Sequence, residues 1–414
     1  MLHLSPQDWA VFAVFGLVYL GMFLGGLPKL KLDRSGVALL GAIAVIALRE
    51  WSVEQAAAAV DLPTVVLLFA FMVVSAQLRL AGFYARAVQV VGRWPLSPRA
   101  LLAAWIALSA SLSAVFSNDV ICLAMTPMVI YIARQRQLPV LPFLLALSCA
   151  ANIGSAGTII GNPQNMLIGS VLHIPFADYL YRAAVPVLLS LVLLWAWLSW
   201  ACSGLWASAP ATGGHAPMHP EASVYDPAQT FKGLLVAALI MVAFIWTDWP
   251  RPVVALVGAA VLLLSRKLHS ARAMGFVDWP LLILFNGLFI VNHALQQTGV
   301  AAHAVQWLQQ QGVHIAQPGP LMALSVTMAN VVSNVPSVML LLPHLQGNVL
   351  AGSWLALVST FAGNLLLVGS IANIIVADLA REEGIRLDWR THARVGVPVT
   401  LLSLLCCVGL WPAI

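Results

Sequence analysis

Charge is what this sequence has least of. Asp, Glu, Lys and Arg make up 8% of its 414 residues against 61% hydrophobic side chains, and the mean hydropathy is +0.91. A chain this poor in charge and rich in long apolar runs reads as a polytopic membrane protein, not a water-soluble globule. Metal-ligand spacings are missing as well. Cys122, Cys149, Cys202, Cys406 and Cys407 lie in or beside apolar stretches without a CxxC or His/Cys pattern, so no metal centre or disulfide framework is expected. There is no GxxxxGK[ST] loop, which excludes an ATP-driven pump in the chain itself. An intramembrane protease would need a second buried Asp or a Ser/His pair, and the chain offers one buried Asp, so no enzyme is expected. No Lys or Arg precedes Lys29, and no cleavage pattern follows "WAVFAVFGLVYLGMFLGG". That run is expected to be a retained span, with the mature chain starting near Met1. The net charge of +5 comes from Lys and Arg in short loops, which suit membrane orientation and not nucleic-acid binding.

What is present is an internal repeat. "VDLP" at Val60 to Pro63 returns as "VDWP" at Val277 to Pro280, 217 residues on, and the same offset carries "VALLGA" (Val37 to Ala42) onto "VALVGA" (Val254 to Ala259) and Gly82 onto Gly299. "SND" at Ser117 to Asp119 is followed by "SNV" at Ser333 to Val335, and "GNPQN" (Gly161 to Asn165) by "GSIAN" (Gly369 to Asn373). The chain is expected to be an all-α membrane protein of two halves, 1–202 and 229–414, joined by a Pro/Gly/Ala-rich cytoplasmic linker at 203–228. The first half divides into scaffold spans over 9–80, a re-entrant hairpin at 98–133, a broken helix at 138–170 and a span at 176–202. The second has scaffold spans over 230–297, a hairpin at 319–344, a broken helix at 350–379 and a span at 393–412. With five spans per half and hairpins that do not cross, 17 of the 20 basic residues fall on one side. The halves are then inverted relative to each other and both termini lie outside, in the inner (plasma) membrane of a prokaryote. Residues 84–94 and 301–310 are amphipathic and read either as helices in the membrane interface or as ordinary loop helices.

Non-helical backbone survives at membrane depth only where it is buried in protein or lines a wet cavity. The two tips and the glycine- and asparagine-rich breaks are such places, and they supply candidate binding residues: Ser117, Asn118, Gly157, Thr158, Gly161, Asn162 and Asn165 in the first half, Ser333, Asn334, Asn364, Gly369, Ser370 and Asn373 in the second. Their oxygens and amides suit Na+ or a small polar solute; small polar residues also glue membrane helices together. Asp119 is the one acidic residue this topology places inside the membrane. A carboxyl there is costly unless paired or protonated, so it can exchange a proton, ligate a cation, or cap the helix that follows. Cys122, three residues on, is either a face for a thiophilic solute or an apolar filler. His293, in the third span of the second half, is either functional or a hydrogen-bonded structural histidine.

The stretches "SNDVICLAMTP", "GTIIGNPQN", "SNVPSVMLLLP" and "GNLLLVGSIAN" resemble the paired signatures of the ion transporter superfamily, which includes arsenite efflux permeases, sodium/proton antiporters, citrate carriers and dicarboxylate carriers. The resemblance covers nearly the whole chain. It implies that the hairpin tips and broken helices form the cation and substrate sites, and that this core moves elevator-like against a scaffold. Dicarboxylate carriers have Ser-Asn-Thr at both tips; here Asp119 and Val335 stand in place of Thr, which is closer to the arsenite permease and sodium/proton antiporter branch. The expected function is proton-coupled efflux of arsenite or antimonite, with sodium/proton antiport, or coupled transport of an inorganic anion or a di- or tricarboxylate, as alternatives. No cofactor is expected beyond Na+ or H+ as coupling ion, with membrane lipid, a second copy of the chain and a separate ATPase subunit as candidate partners.

Overall fold

A computed structural model describes residues 4–27, 30–204, 225–265 and 267–410. The 203–228 linker falls mostly outside these. Twenty helices carry the described chain, and the only strand pairing among the described residues, Gly26–Leu27 against Leu32–Asp33, is two residues long. In chain order the first half contains α1 (Pro6–Leu24), α2 (Arg34–Arg49), α3 (Val53–Ala58), α4 (Leu62–Leu80), α5 (Phe83–Gly92), α6 (Pro98–Phe116), α7 (Asn118–Gln135), α8 (Val140–Ser155), α9 (Pro163–Val171) and α10 (Phe176–Ala201). The second contains α11 (Pro227–Trp246), α12 (Arg251–Leu263), α13 (Ser270–Met274), α14 (Trp279–Gln297), α15 (Val300–Gln310), α16 (Pro318–Val332), α17 (Asn334–Leu341), α18 (Val349–Ala362), α19 (Ile371–Glu382) and α20 (Trp389–Leu410). Seven described helices, α1, α4, α6, α10, α11, α14 and α20, are long and apolar enough to cross a membrane. One of them, α6, is an arm of the first hairpin. A helix of 13 residues, such as α12, reaches only ~20 Å, short of a ~30 Å hydrocarbon core.

Residues paired by the sequence repeat share local geometry. Asp61 and Asp278 each cap the helix that follows, accepting from the amides of Thr64 (2.9 Å) and Leu281 (3.0 Å). Gly82 and Gly299 open α5 and α15 with φ of 71° and 72°, where a Cβ would clash. Ser117 and Ser333 turn the two hairpins with φ of 71° and 80°.

The halves interlock. The helix α14 lies along α2, α4 along α12, α7 along α19 and α10 along α20. Between membrane helices the drive is close packing and not escape from water, so small residues decide the approach. A Cβ on Gly287 of α14 would come within 2.7 Å of the Ala38 backbone in α2, and one on Gly154 of α8 within 2.3 Å of Ala110 in α6. The helices α8, α9 and α18 lie in the middle of the protein, where the break at 156–162 is buried; in the break at 363–370 Gly363, Asn364, Gly369 and Ser370 are buried and Leu366 and Val368 are exposed.

Candidate functional site

Each break frees carbonyls that must find donors. In the first half Asn165 folds back from α9 and its Nδ2 donates to the Thr158 carbonyl at 3.0 Å, while the Tyr179 hydroxyl of α10 donates to Ala156 O at 2.8 Å. In the second, Asn373 Nδ2 donates to Gly363 O at 2.8 Å, and Nε2 of His392 in α20 lies 2.9 Å from Asn364 O. Thr158 bonds to Ala114 O, and Asn162 caps α9 through the Asn165 amide while its Nδ2 reaches Ser155 and Thr360. Gly161 allows the close turn there: a Cβ would stand 2.2 Å from Ser155 O. Gly157 and Gly369 are buried in the two breaks. Thr158, Asn162, Asn165 and Asn373 thus spend their hydrogen bonds on holding the breaks open.

The hub is Asn152, fully buried on α8. Its Oδ1 accepts from Asn118 Nδ2 (2.8 Å) and Ser370 Oγ (3.0 Å), and its Nδ2 donates to Asn364 Oδ1 (2.8 Å) and Asn373 Oδ1 (3.1 Å). One amide therefore ties the first tip to the second break. The Asn152 bond fixes the Asn118 side chain with Nδ2 inward, leaving Asn118 Oδ1 buried with no protein partner; Asn334 Oδ1 at the second tip is buried and unpartnered too. The two residues that carry these acceptors, one from each tip, line a cavity of about 20 Å³ together with Asp119, Gln164, Ser333 and Ser370. That holds one or two water-sized particles, so a larger solute enters only when the tips part. Ser117 makes the first turn but does not line the cavity.

Asp119 is half-buried at the first tip and accepts from the Ala372 backbone amide at the start of α19. Asp278, exposed at the N-terminus of α14, is a second carboxylate whose charge acts on it. Hydropathy assigns Asp278 to the loop before α14, but the first tip reaches the level of that helix N-terminus. Cys122 is fully buried one turn into α7 and does not line the cavity. His293 lies apart from it as well, its ring tilted against Trp51 at 5.6 Å with Gln297 at its Nε2 (3.1 Å), beside a second cavity of about 370 Å³. No Lys or Arg lines either cavity among the described residues.

Asn152, Gln164, Thr360, Tyr179 and His392 did not stand out as site residues in the sequence. Asn152 and Gln164 sit inside the polar stretch 152–165 but at helical positions. Tyr179 and His392 act from other helices, and no spacing links them to the breaks.

The signature of the family described as citrate transporter matches residues 19–362. The chain is 28% identical to the silicon efflux transporter LSI3 of Oryza sativa subsp. japonica, over 94% of each chain. It is 30% identical to the inner membrane protein YbiR of Escherichia coli (strain K12), over 84% of this chain and 87% of that one. It is 28% identical to the uncharacterized transporter Rv2685 of Mycobacterium tuberculosis (strain ATCC 25618 / H37Rv), over 86% and 87%.

Proposed function

Since the chain belongs to the citrate transporter family, and so is a secondary transporter of small ions in a plasma membrane, we propose that it exports a small uncharged hydroxide, arsenite or antimonite, in exchange for protons. The observation that carries this reading is the pair of unpartnered amide oxygens, Asn118 Oδ1 and Asn334 Oδ1, on two residues that line a cavity shared with Asp119 and without any cationic side chain. Oxygens of this kind accept hydrogen bonds. Arsenite near neutral pH is chiefly a trihydroxide with three O–H donors to give them. A tricarboxylate brings only more acceptors and would want Arg or Lys. The relative named for silicon efflux points the same way, since silicic acid is also a small uncharged hydroxide.

In this reading Asp119 takes up a proton when the core faces outward and gives it up inside, and the loaded core travels elevator-like between the faces. The two halves form an inverted repeat with the termini outside. A second reading, sodium/proton antiport, is favoured by the same three oxygens, which are hard ligands for a lone cation in a cavity of about 20 Å³. Expression in an arsenite-sensitive host is expected to lower cellular arsenic under a proton gradient. Asn118→Ala and Asn334→Ala are each expected to cut that export at least tenfold. Sodium-dependent uptake of citrate by the purified protein, or sodium/proton exchange indifferent to arsenite, overturns the substrate assignment.

A further inference from the structure

The second cavity shares its walls with the first. Along α9, Gln164 borders the tip cavity and Leu167 and Val171 the larger one; along α17 the same succession is Val335 then Met339, and along α14 it is Leu281 then Phe289, Asn292 and Gln296. Both cavities therefore lie in one crevice between α14 and the core helices α9 and α17. The larger one is a vestibule: Ala58, Val171 and Gln296 at its rim are exposed, and Leu167, Asn292 and Met339 at its floor are buried. Its one charged lining residue among the described residues, unless His293 is protonated, is Asp61. That carboxylate is held in place by the Thr64 amide (2.9 Å) and Ser170 Oγ (3.0 Å), both on Oδ1, so Oδ2 is left to the vestibule.

We propose that Asp61 makes this vestibule, which the topology above places on the outer face, an electrostatic filter that slows anions relative to cations and uncharged solutes approaching the tips from outside. The proposal deepens the reading of the site as one for an uncharged hydroxide and rests on it for its biological sense. A fixed carboxylate in a crevice walled by Leu, Phe and Met acts through a lower dielectric than water, so its field reaches across a space of this size. A citrate-like anion approaching from outside meets that field at the vestibule and the Asp119 carboxylate beyond it, while the coupling proton can enter and a neutral trihydroxide can leave.

The test uses purified full-length protein in detergent, with Gln296→Cys at the rim. Two thiol reagents of similar size, one bearing a sulfonate and one a trimethylammonium group, are compared at pH 8, where an ordinary imidazole is uncharged. Background comes from the unsubstituted chain, whose Cys122, Cys149, Cys202 and Cys407 are buried. Asp61→Asn keeps the helix cap, since Asn caps as well as Asp, and removes only the charge. The sulfonate-to-ammonium rate ratio is expected to rise roughly tenfold, whereas Ser170→Ala, which frees the carboxylate but keeps its charge, leaves the ratio within about twofold of that of Gln296→Cys alone. A ratio unmoved by Asp61→Asn overturns the filter. Labelling needs no transported solute: a shifted ratio in a protein that fails to move arsenite supports the filter and overturns the substrate reading alone.

Discussion

Asp119 and Val335 occupy the same place on the two tips, and only one of them can carry a proton. Exchanging the carboxyl for an amide keeps the shape and an oxygen for the Ala372 amide while abolishing titration. Asp119→Asn is therefore expected to fold normally, with an unchanged elution profile and thermal midpoint, and to lose pH-gradient-driven transport in proteoliposomes. Full activity with the pH dependence of the parent removes Asp119 from the coupling step. At this scale the sequence was partly legible. An Asp among apolar residues announces itself because burying charge is costly, and paired Ser-Asn tips are visible as breaks in hydrophobicity. The role of Asn152 was not visible. A buried Asn in a helix has the same local signature whether it ties one neighbour or four, and its partners lie 34 to 221 residues away.

Among the elements, the hairpins carry the most telling strain. Ser117 (φ 71°, ψ 136°) and Ser333 (φ 80°, ψ 162°) adopt backbone angles that L-residues rarely take and glycine takes freely. Such a conformation costs on the order of 1–3 kcal/mol, and a serine retained at both tips in place of glycine points to use of the hydroxyl. Ser117→Gly and Ser333→Gly are each expected to raise the thermal midpoint, by ~1 kcal/mol of added stability, and to reduce the transport rate. A glycine variant with unimpaired transport would assign the serines to the turn alone. Helix boundaries near these tips were readable because the apolar pattern stops there. The orientation of the two breaks was not, because it depends on Tyr179 and His392, donors from helices that follow in the chain and meet the breaks only through packing.

For the whole molecule the proposed inverted arrangement makes a simple demand on sidedness. Gln7→Cys is expected to react with an impermeant thiol reagent from outside intact cells, and Glu382→Cys only after the cytoplasmic face is opened. Reaction of both from one side would end the inverted-repeat reading. The matching helix starts after Asp61 and Asp278 were legible from "VDLP" and "VDWP" because a cap and a proline mark a helix start, whereas the packing of α14 on α2 was not, since Gly287 and Ala38 mark a close approach only once the helices are side by side. The unequal tips also bear on bioenergetics. If the proposed exchange runs through Asp119 alone, one carboxyl against one valine moves a single proton per cycle, and with an uncharged cargo going the other way nothing cancels its charge. Each turnover then carries one elementary charge across the membrane, so the resting potential does work on the exchange, about 2.3 kcal/mol for every 100 mV. The exporter would behave as a small current source, able to hold roughly a fiftyfold gradient per 100 mV even where the pH on the two sides is equal.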